Sequence, residues 1–194
     1  MNLTAETREN RHVRLELLEA RHHEALRPAA NDASLWNQTS LNAAGDGFDP
    51  WFETMMAAAR SGRQISYAVH DKAAGALVGH TAYLAIDPAH ARVEIGWTWY
   101  AVTAHRTHVN PACKRLLLAH AFACGAARVE LKTGANNRRS QGAMEKMGAV
   151  REGVLRSHAM TWAGARRDSV YYSVLADEWA SVKAGLDARL EAAA

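Results

Sequence analysis

The segment AHRTHVNPACKRLLLAHAF, from Ala104 to Phe122, changes character at Asn110–Pro111, where two histidines and an arginine give way to a strongly apolar run. Asn is a favoured N-cap and Pro fits the first helical position, which predicts a helix opening at Pro111. The residues before it, VEIGWTWYAV, read as a strand. Strand, polar turn and capped helix together aim unpaired N–H groups and the positive end of a helix dipole at one place, an arrangement that holds phosphate and other anions. Arg106 or a histidine of the same turn could add charge there. His105 and His108 read as a metal pair lack a third or fourth ligand at suitable spacing, so no metal is expected.

A second capped helix follows in ANNRRSQGAMEKMGA. Asn137 is its expected N-cap and Ser140 lies in its first turn. Ala143, Met144 and Met147 share a face, and Gly148 stands just past the end.

These segments need a scaffold. HVRLELL reads as a first strand, and EARHHEALRPAANDASLW as helical with a break near Pro28. FDPWFETMMAAARSG predicts a helix with Asp49 as N-cap, Pro50 at the first helical position and Gly62 at its end. QISYAVHD and ALVGHTAYLAI form a hairpin around DKAAG, and RVEIGWTWYAV adds a third antiparallel strand. Alternation within it puts Glu94, Gly96, Thr98 and Tyr100 on one face and Ile95, Trp97 and Trp99 on the other. Gly96 is consistent with a local bulge or a close approach. Further strands lie in CGAARVELKT, VREGVLRSHAM and DSVYYSVL, the last turning Tyr171 and Tyr172 to opposite faces. A charged amphipathic helix spans Ala176 to Leu190. The order β, αα, βββ, α, β, α, ββ, α predicts one α/β domain around a largely antiparallel sheet.

The length of 194 residues suits a single domain, 1–194, with a core over 12–182 and the end of a C-terminal helix, or a tail, over 183–194. The net charge is +3 and the pI near 9.0, but acids and bases are interleaved rather than gathered into a basic patch, which argues against nucleic acid as the main partner. No apolar run is long enough for a membrane span, and the charged N-terminus does not read as a secretory signal, which leaves the cytoplasm as the expected location. Cys113 and Cys124 would sit about 16 Å apart along one helix, too far to bridge, and read as reduced packing residues. His22 and His23 are expected to be solvated.

VEIGWTW, the helix from Pro111, RVELKTGANNRRSQGAMEKMGAVREGVLR and RRDSVYYSVLADEW together closely resemble the GNAT superfamily of acetyl-CoA-dependent N-acetyltransferases, and within it the ribosomal-protein N-acetyltransferases of the RimJ/RimL type. The resemblance covers residues 12 to 182. It implies the GNAT fold, a mixed, mostly antiparallel sheet of about seven strands flanked by helices. It also implies acetyl-CoA as cosubstrate, with its pyrophosphate held by the turn and helix start formed by His105, Arg106, Thr107, His108, Val109 and Asn110. The rest of the coenzyme would meet Trp97 and Thr98 on the strand, and Asn137 and Ser140, the Asn-x-x-Ser of the family. The family's loop reads Gln or Arg, two residues, Gly, one residue, then Gly or Ala; here those slots hold His105, His108 and Asn110. Glycines there allow positive φ and close approach to phosphate, and a histidine in the middle slot is less comfortable. The expectation is a modified grip; the alternative is a catalytically silent binding or regulatory module that has kept the fold.

Amide formation from a thioester needs a neutral amine and a polarised carbonyl. The resemblance makes Glu94 the candidate base, directly or through water, its other reading being a cross-strand partner for Arg92 or another surface charge. It makes Ser140 the candidate acid for the departing thiolate, with Tyr171 or Tyr172 as the alternative, and assigns carbonyl polarisation to backbone N–H groups where the strand splays from its neighbour. Trp36 and Asn37 fall in the segment that shapes the acceptor site, core packing being an equal reading for Trp36. The acceptor would be a primary amine on a small molecule or a protein N-terminus, and a homodimer stays open.

Overall fold

The structure, a computed structural model, describes residues 1–192. Its strands are β1 (Arg8–Glu9), β2 (Val13–Leu17), β3 (Gln64–Asp71), β4 (Ala76–Asp87), β5 (Arg92–Tyr100), β6 (Arg128–Gly134), β7 (Val150–Met160) and β8 (Arg166–Leu175). The helices are α1 (His23–Ala30), α2 (Phe48–Arg60), α3 (Val109–Ala123), α4 (Arg138–Met147) and α5 (Trp179–Glu191). The eight strands form one sheet in the order β1-β2-β3-β4-β5-β6-β8-β7. The strand beyond the expected seven is the two-residue β1. Among the described residues no helix is long and apolar enough to cross a membrane.

Every neighbouring pair of strands is antiparallel except β5 and β6. Their parallel ladder pairs Arg92 with Arg128, Val93 with Val129 and Glu94 with Glu130, and then stops, although β5 runs on to Tyr100 and β6 to Gly134. The sheet is therefore open along its middle beyond Glu94. On one face Val93, Ile95, Leu131 and Tyr172 pack with Leu117 and Leu118 of α3 and Leu186 of α5. On the other, Ala68 and Trp99 pack with Leu26 of α1 and with Phe48, Trp51, Phe52 and Met55 of α2.

The unbroken alternation expected in β5 does not hold. Ala82 pairs with Gly96 and His80 with Trp99, so Thr81 of β4 stands opposite two residues, Trp97 and Thr98, and Trp97 takes a left-handed φ of 49°. One extra residue exchanges the faces of everything after it. Trp99 consequently joins the α1–α2 core while Tyr100 joins Ile95 on the α3 side. β4 holds the bulge with two side chains: His80 Nδ1 donates to the Trp97 carbonyl over 2.9 Å, and Thr81 Oγ1 lies 2.8 Å from Thr98 Oγ1.

Two helices start earlier than their Asx–Pro pairs suggested. Asn110 does not cap α3, which begins at Val109 behind His108, and Asp49 does not cap α2, which begins at Phe48 behind Gly47. In both, the proline sits at the third helical position, where a backbone N–H would have no intrahelical acceptor anyway. Asp49 is engaged instead by Arg27 Nη2 at 2.6 Å and His23 Nε2 at 2.8 Å. α4 keeps its expected ends, with the Asn137 side chain accepting from the N–H of Ser140 and Gly148 left-handed at φ 98°. His22 is buried rather than solvated: its Nδ1 accepts from the N–H of Glu19 and its Nε2 lies 3.1 Å from Glu16 Oε2. α5 begins at Trp179 rather than Ala176, and residues 193–194 of the expected tail lie outside the described residues.

Candidate functional site

The opening between β5 and β6 is lined on the α1–α2 side by polar groups. Glu94, 4% exposed, is the last residue of the parallel ladder, and its Oε2 accepts from Lys132 Nζ of β6 at 2.7 Å. Its cross-strand partner is thus Lys132 and not Arg92, whose guanidinium goes to Asp87 and Glu130. Gly96 leaves room for the carboxylate: a Cβ there would lie 2.9 Å from Glu94 Oε1. Lys132 Nζ also lies 5.8 Å from the centre of the Tyr171 ring, which stacks edge-on with His158 of β7. Of the two tyrosines on β8, Tyr171 therefore shares this side with Lys132, while Tyr172 turns to the helices and donates to Glu145 Oε1 at 2.8 Å.

A second lysine enters from α3. Lys114 is 6% exposed, and its Nζ lies 3.3 Å from Thr98 Oγ1 at the bulge. Burial pushes its pKa down to about 8, opposed by the neighbouring Cys113 and then by the Glu94 charge.

The turn into α3 is built differently from the expectation. His108 has an ordinary helical φ of −65°, so its side chain brings no backbone strain; the left-handed residue is Arg106, at φ 64°. His105 Nε2 donates to the Tyr100 carbonyl at 3.0 Å and its Nδ1 accepts from Arg139 Nη1 at 2.8 Å. Burial first, and the Arg139 charge second, hold the His105 pKa below its usual value. His108 Nε2 pairs with Asp71 Oδ1 at 3.0 Å, and its ring lies 5.2 Å from that of His12. The two histidines thus go to separate partners. Thr107 Oγ1 donates to the Ala104 carbonyl and accepts from the N–H of Val109. Ala112 makes the first bond back to the turn, to the His108 carbonyl, and Pro111 has no N–H. Among the described residues the N–H groups of Arg106, Thr107, His108 and Asn110 donate to no protein acceptor. Arg139 ties this turn to the first turn of α4, where Ser140 is half-buried and donates its N–H to Asn137 Oδ1 at 3.1 Å.

The structure places Trp36 in the core rather than at an entrance. It is 2% exposed, donates Nε1 to the Ala30 carbonyl and packs edge-on against Trp99. Asn37 beside it is exposed, and Trp97 is partly buried against the α1–α2 core. The turn between β7 and β8 folds over this segment, with Trp162 donating from Nε1 to the Trp36 carbonyl and from its N–H to Thr39. Sequence reasoning missed Lys114, Lys132, His80 and Arg139. A signal existed for Lys114: it falls on the stripe of Cys113, Leu117, Leu118 and Ala121 that α3 buries, where a lysine is out of place. Lys132 meets Glu94 through the parallel register, which no local pattern reveals.

A family model described as an acetyltransferase (GNAT) domain matches residues 12–150. Among solved structures, a T. thermophilus protein assigned as an acetyltransferase is 36% identical, with a TM-score of 0.88 over 98% of this chain and 100% of that one. A GCN5-related N-acetyltransferase from Brucella melitensis is 30% identical, with a TM-score of 0.88 over 96% and 86%. Mycobacterium smegmatis RimJ, solved with CoA-disulfide, shares the fold at 21% identity and a TM-score of 0.77, over 91% of this chain and 88% of its own. Among curated proteins nothing matches. An open parallel seam beside a helix start with free N–H groups, a family match over most of the sequence and relatives at 30% and 36% identity along nearly the whole length lead to one assignment: this chain belongs to the GNAT acetyltransferase family.

Proposed function

We propose that the protein transfers an acetyl group from acetyl-CoA to a primary amine by direct attack. The observation that carries this reading is the seam itself: the β5–β6 ladder ends at Glu94, and the turn after β5 offers four unpaired N–H groups at the start of α3. Acetyl-CoA fits the residues present. The free N–H groups and the Arg106 side chain suit its pyrophosphate, the bulge at Trp97–Thr98 suits the thioester, and Asn137 and Ser140 border the arm between them. His108 takes an ordinary helical φ, so the turn is built without backbone strain at that position, which supports coenzyme binding. The CoA-disulfide on Mycobacterium smegmatis RimJ supports the same assignment by likeness of fold.

An α-amine has a pKa of about 8 and a lysine amine about 10.4, so the acceptor arrives largely protonated. Glu94 takes that proton, directly or through water, while Lys132 keeps its carboxylate in place. Base assistance of this kind contributes about 10²–10⁴. Holding the nitrogen against the carbonyl contributes more, about 7–11 kcal/mol. The carbon–nitrogen bond forms, the carbon–sulfur bond breaks, and Ser140 or Tyr171 returns a proton to the sulfur. The acceptor is a small-molecule amine or, on the RimJ/RimL-like reading, a protein N-terminus reached past Asn37. Two unpaired cysteines, Cys113 and Cys124, agree with work in the cytoplasm.

A thiol-release screen with acetyl-CoA, run against assorted amines and N-terminal peptides alongside calorimetry, tests this. Micromolar coenzyme binding and thiol release with at least one acceptor are expected. Absence of both overturns the reading, and binding with no release across the panel leaves a silent GNAT-fold module instead.

A further inference from the structure

Lys114 stands where neither packing nor the chemistry above requires a lysine. It rises from the second turn of α3 on the side that Cys113, Leu117 and Leu118 bury against the sheet. Burying an ammonium costs several kcal/mol unless partners compensate. Here the hydrogen-bond partner is one hydroxyl, Thr98 Oγ1, and among the described residues no carboxylate lies within ion-pair distance of Nζ. Glu94 acts on it from farther off, favouring the charged form, while Lys132 takes the direct contact with that carboxylate. The hydroxyl that receives Lys114 belongs to the bulge, and the bulge is fixed from behind by His80 and Thr81. A methionine or leucine would fill the same space without the cost of desolvation. The structure has instead placed a cation beside the strand irregularity, on the strand whose parallel pairing has already stopped.

We infer that Lys114 is a catalytic residue of this chain, its ammonium donating a hydrogen bond to the thioester carbonyl oxygen as negative charge develops there; the inference rests on the acyl-transfer reading above. Lys114 keeps its proton throughout. The electron pair that returns from the oxygen expels sulfur, and the proton that sulfur takes comes from Ser140 or Tyr171. A side-chain cation then supplements the strand's own N–H groups, and because Lys114 is buried its charge is poorly screened. Lys114 is not the nucleophile in this scheme, because a protonated amine has no free electron pair, and below about pH 8 the ammonium form predominates.

The test uses the purified full-length chain with Lys114→Met and Lys114→Gln. Three readouts are needed: calorimetric affinity for acetyl-CoA, kcat against pH, and the infrared carbonyl frequency of bound acetyl-CoA labelled with ¹³C at the carbonyl. Lys114→Met is expected to lose about 10²–10³ in kcat, the usual effect of removing one oxyanion donor, with coenzyme affinity changed less than threefold. Its bound carbonyl should absorb at higher frequency than in the wild type, and its activity should lack the fall above about pH 8 that the wild type shows as Lys114 loses its proton. Lys114→Gln keeps a neutral donor and should fall between the two in kcat and frequency, which holds the test open even if the methionine variant folds poorly. Unchanged kcat and carbonyl frequency in both variants, against an active wild type, overturn the inference. So does an acetyl group found on Lys114 by peptide mass, which would make it an acceptor. A wild type that neither binds acetyl-CoA nor releases thiol overturns the broader reading, and this one with it.

Discussion

Glu94 and His80 are both buried, one at the end of the β5–β6 ladder and the other behind the β5 bulge, and substitution distinguishes what each does. Glu94→Gln keeps a hydrogen-bonding partner for Lys132 but cannot take a proton. It should lower kcat by about 10²–10⁴ while leaving acetyl-CoA affinity near that of the wild type, as measured by thiol release and calorimetry. Unaltered turnover would return Glu94 to a purely structural ion pair. His80 has no exposed surface, and burial drops its pKa from 6.5 to about 4, the Trp97 carbonyl opposing weakly. Because the folded value lies below the unfolded one, the unfolded chain binds the proton first. The associated stability is fully present above about pH 6.5 and is lost as pH falls from there through 4, a difference of about 3 kcal/mol. His80→Asn can still donate to Trp97, so urea unfolding should show the wild type losing about 3 kcal/mol more than the variant between pH 7 and 4. His12, His105 and His120, whose pKa values burial also lowers, are common to both proteins and cancel. Parallel pH curves would show that His80 does not carry this dependence.

At the scale of elements, α4 was legible end to end and α3 was not. Asn137 and Gly148 each have a local job, an accepted N–H and a left-handed φ, and local jobs leave local signatures. Asn110 and Asp49 looked equally suited to capping, yet tertiary contacts carried their helices back to Val109 and Phe48, residues that are fully buried. The bulge in β5 was hinted at by Gly96, but the left-handed residue is Trp97, fixed by His80 and Thr81 from the next strand. A pattern within one strand cannot report a partner seventeen residues away. The cap of α4 is itself testable. Asn137→Ala should cost about 1 kcal/mol in chemical unfolding, and Asn137→Ser, which keeps an acceptor oxygen, should stay within about 0.5 kcal/mol. Equal losses in the two variants would mean that packing, not the cap bond, makes Asn137 matter.

Across the whole molecule the sheet separates two cores, with α3 and α5 on one face and α1 and α2 on the other, and the seam opens in the sheet between them. The element order was readable because it depends on periodicity along the chain, and the family resemblance because it is carried by contiguous motifs such as the Asn-x-x-Ser of NRRS. The lysines at the seam were not, because they depend on which strands become neighbours and where pairing stops. The same architecture dictates how a coenzyme should stabilise the fold. A ligand that spans the seam from the α3 turn to the bulge ties β5, α3 and α4 together and binds the native state alone. At a hundred times its dissociation constant, such a ligand adds about 2.7 kcal/mol. For a chain of this size that corresponds to a rise in Tm of about 5–10 °C. An acetyl thioester of cysteamine carries the reacting carbonyl without the pyrophosphate, so at the same concentration it should move Tm by less than about 1 °C if the four free N–H groups at the turn supply the grip. Equal shifts from the two thioesters would locate the binding energy at the bulge instead of the helix start, and no shift from millimolar acetyl-CoA would mean that the seam does not receive this coenzyme.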